Sequence, residues 1–142
     1  MIDKRIIDFI QEHDLLTLST SKENIPYCCN DFYIYDEKNN SLIFSSDTKT
    51  KHAQDFIENP EVAGTIALET KDIEKIQRVQ LLGEIRELQG ERLKVATKKY
   101  LKEYPYARLM EIHLWQMTLT FIKMTHNKLG FGKKLIWEKK VN

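Results

Sequence analysis

Seven runs that read as β-strands make up somewhat under half of this chain, and most of them are joined by short links. Leu15–Thr20 is the first. Tyr27–Tyr35 follows the turn SKENIP, which Pro26 closes, and Ser41–Ser46 returns after DEKNN. Val62–Leu68 and the longer Ile76–Leu88 come next. His113–His126 alternates through Leu114, Gln116, Thr118, Thr120, Ile122 and Met124, and Lys133–Glu138 ends the series after a turn at Asn127–Gly132. Short links make neighbouring strands antiparallel, because a parallel pair needs a crossover of about a dozen residues or more.

Three helices interrupt the pattern. Residues 3–13 place Ile6, Ile7, Phe9 and Ile10 at helical spacing. Thr48 or Thr50 caps a second helix, which carries Ala53, Phe56 and Ile57 and stops at Asn59-Pro60. Gly90-Glu91 opens a third, whose Leu93, Ala96, Tyr100 and Leu101 share a face and which ends before Pro105. The expectation is a mainly-β (α+β) fold: an antiparallel barrel of six or seven strands with peripheral helices, built by residues 1–142 as one domain.

The 142 residues are 42% hydrophobic and 30% charged, enough for a real core. No apolar run approaches the ~20 residues of a spanning helix. The first segment, MIDKRIIDFIQEHD, lacks the uninterrupted apolar stretch of a secretory signal, so a cytoplasmic protein that avoids membranes is expected. Net charge is +1 but unevenly spread. Residues 1–70 hold 6 Lys and Arg against 13 Asp and Glu; residues 71–142 hold 16 against 8. Such a split fits either a basic binding surface or acidic and basic strands folded together.

Cys28 and Cys29 are neighbours, so on a strand they point to opposite faces and cannot close an ordinary disulfide. Two cysteines make a zinc site only if His joins them, and none of the four histidines lies at ligand spacing; no metal site is expected. Arg92, Lys94, Lys98, Lys99, Lys102 and Arg108 alternate with Tyr100, Tyr104 and Tyr106, a pattern that can grip nucleic acid. On an amphipathic helix it reads better as a solvated face, and no nucleic-acid partner is expected. Gly130-Phe131-Gly132 does not lead from a strand into a helix and is no dinucleotide fingerprint. No Ser-His-Asp order or carboxylate pair stands out.

The segment most suited to chemistry is Ser41–Gly64. A strand ends in Ser45 and Ser46, then Asp47, Thr48, Lys49, Thr50, Lys51 and His52 precede the helix proper. Hydroxyls and cations at a strand-to-helix junction suit a phosphate, because the free amides of the first turn point at the anion.

FSSDTKTKHAQDFIENPEVAG followed by VQLLGEIREL resembles the FMN-binding split barrels of the pyridoxamine 5′-phosphate oxidase superfamily. NDFYIYD, KTKHAQ and HNKLGFGKKLIW are similar to the bacterial YhbP-like group within it, and the resemblance spans roughly Leu15–Trp137. It implies a split barrel and a homodimer with FMN at the interface. Ser45 and Ser46 would meet phosphate or ribityl oxygens, Thr50 would add a hydroxyl, and Lys51, or Lys49 beside it, would neutralise charge. His52 stands where the family pattern has a permanent cation. Asn30, or Cys28 in a shifted register, stands where many flavin-binding members carry an Arg, a loss of about 1.5–3 kcal/mol of charged hydrogen bonding. Arg78 falls near the position from which a Gln meets the flavin ring. KLGFGKK has no counterpart of the Arg-x-His substrate motif, so the vitamin-oxidising reaction is not expected.

The resemblance thus implies an FMN-dependent oxidoreductase of unknown substrate in which flavin itself carries the chemistry, so no catalytic side chain is named. The alternative is a non-catalytic module for flavin, haem or another anionic ligand.

Overall fold

Hairpin chemistry sets the first half of the sheet. In the computed structural model, which describes residues 1–141, β1 (Leu15–Lys22) passes into β2 (Ile25–Asp36) through Glu23-Asn24 alone. Both turn residues have positive φ, 52° and 65°, the backbone whose twist matches that of antiparallel strands. Both strands therefore run further than the sequence suggests, and the SKENIP turn shrinks to two residues. Pro26 lies inside β2, paired with Ser21. It is tolerated there because the other edge of β2 meets its next neighbour only from Tyr33 onward.

β3 (Ser41–Ser45), β4 (Glu61–Ala67), β5 (Gln77–Glu87), β6 (Leu114–His126) and β7 (Lys134–Glu138) complete one antiparallel sheet. Its order is β3-β2-β1-β4-β5-β6-β7, and β3 also pairs with β6, which closes six strands into a barrel. The length of β6 makes this possible. Its first part pairs with β3, from Leu114 against Ser45 to Thr118 against Ser41. Its second part pairs with β7, from Phe121 against Glu138 to Thr125 against Lys134, while β5 lines the other edge throughout. A bulge between Leu82 and Gly83 leaves Thr120 unopposed on β5, at the point where β6 passes from one partner to the other.

The barrel interior is filled by Leu16, Leu18, Tyr33, Leu42, Phe44, Ile66, Val79, Leu81, Met117 and Ile122. Helix α1 (Lys4–Glu12), capped by Asp3, adds Ile6, Phe9 and Ile10 to this core, and the Tyr33 hydroxyl donates to the Ile10 carbonyl. Helix α2 (Lys51–Glu58) packs chiefly on β1 and buries Ala53, Asp55 and Phe56; the Phe56 ring lies 4.7 Å from that of Trp115. A second core sits outside the barrel, where Ala96 and Tyr100 of α3 (Gly90–Glu103) cover Ile43, Leu88 and Leu114. A 3-10 turn at Pro105–Leu109 adds Ala107 to it. No helix among the described residues is long and apolar enough to cross a membrane.

At Gly83 β5 leaves no room for a side chain against β6: a Cβ there would lie 2.7 Å from the Thr118 carbonyl oxygen and 2.9 Å from Met117 Cγ. Gly83→Ala should therefore destabilise the fold by about 1–3 kcal/mol, read by denaturant unfolding. A wild-type midpoint would mean that β6 yields at this crossing.

Candidate functional site

The link from β3 to α2 is built by short-range hydrogen bonds of polar side chains. Asp47 Oδ1 accepts from the Lys49 amide at 2.8 Å, and the Asp47 carbonyl accepts from the Thr50 amide at 3.1 Å and from Thr50 Oγ1 at 2.8 Å. Thr50 Oγ1 in turn accepts from the Ala53 amide, so Thr50 rather than Thr48 caps α2. This fixes the first helical turn, with His52 facing back toward the end of β3.

Ser46 lies at the centre. It is 6% exposed, and its carbonyl accepts from Trp115 Nε1 at 2.9 Å. Its hydroxyl bridges His52 Nε2 at 2.8 Å and Asp31 Oδ1 at 3.3 Å. Thr50 Oγ1 is 3.3 Å from the same His52 nitrogen, and Cys29 Sγ donates to Asp31 Oδ2 at 3.4 Å. One donor atom each from Cys29, Asp31 and His52 lies within 4.8 Å of the others. Burial pushes the Asp31 carboxyl up, against the lowering influence of the Cys29 thiol, His52 and Ser46. Burial also pushes the Cys29 thiol up, and the Asp31 carboxylate pushes it further.

The remaining expected site residues are placed unequally. Ser45 is next to the cluster, but its Oγ accepts from the His113 amide at 3.1 Å. Lys51 Nζ pairs with Asp55 at 3.2 Å and sits 4.8 Å above the Tyr27 ring. Asp55 is buried and also accepts from Thr20 Oγ1 at 2.9 Å. Lys49 is exposed and makes no ion pair among the described residues. Ser46, Thr50 and His52 are thus joined, with Lys49 and Lys51 on adjacent backbone.

Asn30 and Arg78 are not brought to this cluster within one chain. Asn30 projects from the opposite face of β2 to Asp31, where its Oδ1 accepts from Thr17 Oγ1 at 2.8 Å. Arg78 lies toward the other end of β5: it faces Thr125 on β6, whereas Ser45 faces Leu114. His52 lies at no ligand spacing from Cys29 in the sequence, yet the fold brings the two together with Asp31. Distance along the sequence hid the grouping, since β2 and α2 meet only in the folded barrel. The available signal was the spacing of Cys29 and Asp31, which puts both on the inner face of β2.

The frame around this site is a split barrel, a fold it shares with several solved structures. A putative pyridoxamine 5′-phosphate oxidase from Listeria innocua superimposes with TM-score 0.69 at 13% identity, over 88% of this chain and 98% of its own. A heme binding protein from Mycobacterium smegmatis gives 0.75 at 16% identity, over 92% of this chain and 57% of its own. A FAD-binding protein from Mesorhizobium loti gives 0.67 at 14%, over 86% and 92%. No protein-family profile matches the sequence. A UPF0306 protein of Yersinia pestis is 37% identical over 131 residues, 92% of this chain and 89% of the relative. The chain belongs to the UPF0306 family.

Burial pushes the Asp55 carboxyl up, but the hydrogen bonds from Thr20 and Lys51 outweigh this and hold it below the ordinary carboxylate range. Its lowered folded-state pKa stabilises the protein above the unfolded value near 3.9, and this is lost as pH falls through the folded pKa. Asp55→Asn should lower stability at pH 7 and flatten its decline below about pH 4. Parallel acid-unfolding curves for wild type and variant would remove Asp55 from this role.

Proposed function

We propose that this chain is a homodimeric split-barrel protein that holds an anionic, planar cofactor, FMN first, at the junction of β3 and α2. The observation that supports this most is the convergence of Ser46, Thr50 and His52 at the start of α2, with Lys49 and Lys51 beside them. The donor set fits a phosphate on its outer side. Early helical amides such as those of Lys51 and His52 lack partners within the helix, and Lys49 Nζ is free among the described residues to add charge. Asp31 sets the inner limit, because its carboxylate beside Ser46 repels a phosphate dianion. The phosphate therefore sits over Thr50 and the lysines, with Ser46 aimed at the less charged part of the ligand.

Flavin, when bound, would supply hydride or electron transfer; the chain's residues bind it, orient it and exclude water. Lys49→Ala combined with Lys51→Ala should weaken FMN binding by about 10–100-fold, the equivalent of one charged hydrogen bond or slightly more. Quenching of flavin fluorescence on titration measures it. Identical curves for variant and wild type would move the site elsewhere. Bleaching of bound flavin by NAD(P)H separates an oxidoreductase from a binding module, and slow or absent bleaching favours the module.

The second copy is argued from the barrel's outer face. Leu82, 50% exposed, lies opposite the partly exposed Phe121, and Ile136 on β7 is 64% exposed on the same face. Such a patch is covered economically by its own symmetry mate. Leu82→Glu should shift the protein to monomer in light scattering and weaken FMN binding with it; an unchanged dimer would place the interface on another face. Haem is the second ligand to consider, because the M. smegmatis neighbour is a heme binding protein.

A further inference from the structure

Asp31 is a half-buried carboxylate that makes no ion pair among the described residues. Among the described residues its hydrogen-bond partners are a thiol and a hydroxyl, those of Cys29 and Ser46. A carboxylate taken partly out of water without a cation is expensive, and the usual remedies are protonation, a basic side chain or a metal ion. The neighbours here favour the last. Cys29 stands two residues away on the same face of β2, and His52 presents a ring nitrogen from α2. The imidazole is held by packing on Phe56, with ring centres 6.2 Å apart.

We propose that Cys29 Sγ, Asp31 carboxylate oxygen and His52 Nε2 form a binding site for one divalent ion of the zinc class, with Ser46 beside the fourth position. One sulfur, one imidazole nitrogen and one carboxylate oxygen are the mixed donors that such borderline ions take, at bond lengths of about 2.0–2.3 Å. Tetrahedral geometry at those lengths puts donors roughly 3.3–3.6 Å apart, so donors already within 4.8 Å need only small side-chain rotations to gather. Charge balances as well. Binding displaces the Cys29 proton to solvent, and the resulting thiolate and the Asp31 carboxylate neutralise the ion's two positive charges. His52 ligates as the neutral Nδ1–H tautomer, leaving its Nε2 lone pair for the metal. Three protein ligands and one open position are the arrangement of a reactive site rather than a closed structural one.

The metal site does not require the flavin reading: Cys29 has no part in that reading, and Asp31 enters it only by keeping a phosphate out. Metal-stripped protein is titrated with Co²⁺, whose thiolate complexes give a charge-transfer band in the near ultraviolet. The band should rise to one ion per chain, vanish in Cys29→Ser and persist in Cys28→Ser. Asp31→Asn and His52→Ala should weaken binding by roughly tenfold or more, and the band should fade on acidification as protons compete for the ligands. Circular dichroism of each variant confirms that it is folded. If a variant fails to fold, zinc retained by wild-type protein after dialysis, together with the Cys28→Ser control, decides the question. A wild-type titration with no thiolate band, or a folded Cys29→Ser protein that keeps it, overturns the site. FMN titration of Cys29→Ser keeps the two readings apart, because loss of cobalt supports the metal site whether or not FMN still binds, and FMN binding bears on the flavin reading alone.

Discussion

β3 is hydrogen-bonded on both edges, Tyr33–Asp36 of β2 on one side and Leu114–Thr118 of β6 on the other. It brings together strands far apart in sequence and turns an open meander into a barrel. It also has both faces covered: Leu42 and Phe44 point into the barrel, and Ile43 points into the outer core under α3. A strand fixed on two edges and two faces ends at a defined point in space. Ser45 and Ser46 lie at that end, and the chain must turn there toward α2. Placement of the site is therefore a consequence of barrel closure.

The electrostatics at that end are mixed. Lys51 balances Asp55 rather than standing free, which leaves Lys49 as the more available cation beside the junction. Deeper in, Asp31 has no such partner, and thiol, carboxylate, hydroxyl and imidazole form one connected network. The division of charge between the halves of the chain has little to do with this site. Most of the excess in the second half lies on α3 and near the C-terminal end, on exposed lysines.

Much of the fold was legible because alternation and turn residues are local. DEKNN, Asn59-Pro60 and Pro105 mark their boundaries through backbone chemistry that needs no tertiary context. Pro26 misled for a physical reason: proline is excluded from paired edges, and the sequence does not reveal that the relevant edge of β2 is free at that point. The 3-10 turn at Pro105–Leu109 was also missed, being too short for any periodicity. Within the site, Ser46, Thr50 and His52 are close in sequence and could be read together. Cys29 and Asp31 could not be joined to His52 that way, because their meeting depends on how β2 and α2 lie across the closed barrel. Asn30 illustrates the period-two hazard: one step along a strand moves a side chain to the opposite face.

The most direct test is the visible absorption spectrum of freshly purified protein, before and after saturation with FMN. A cofactor held at the β3–α2 junction predicts a flavin spectrum, carried from the cell or taken up stoichiometrically on addition, with the bound fluorescence quenched. A protein that is colourless as isolated and leaves the spectrum and fluorescence of added FMN unchanged would contradict it.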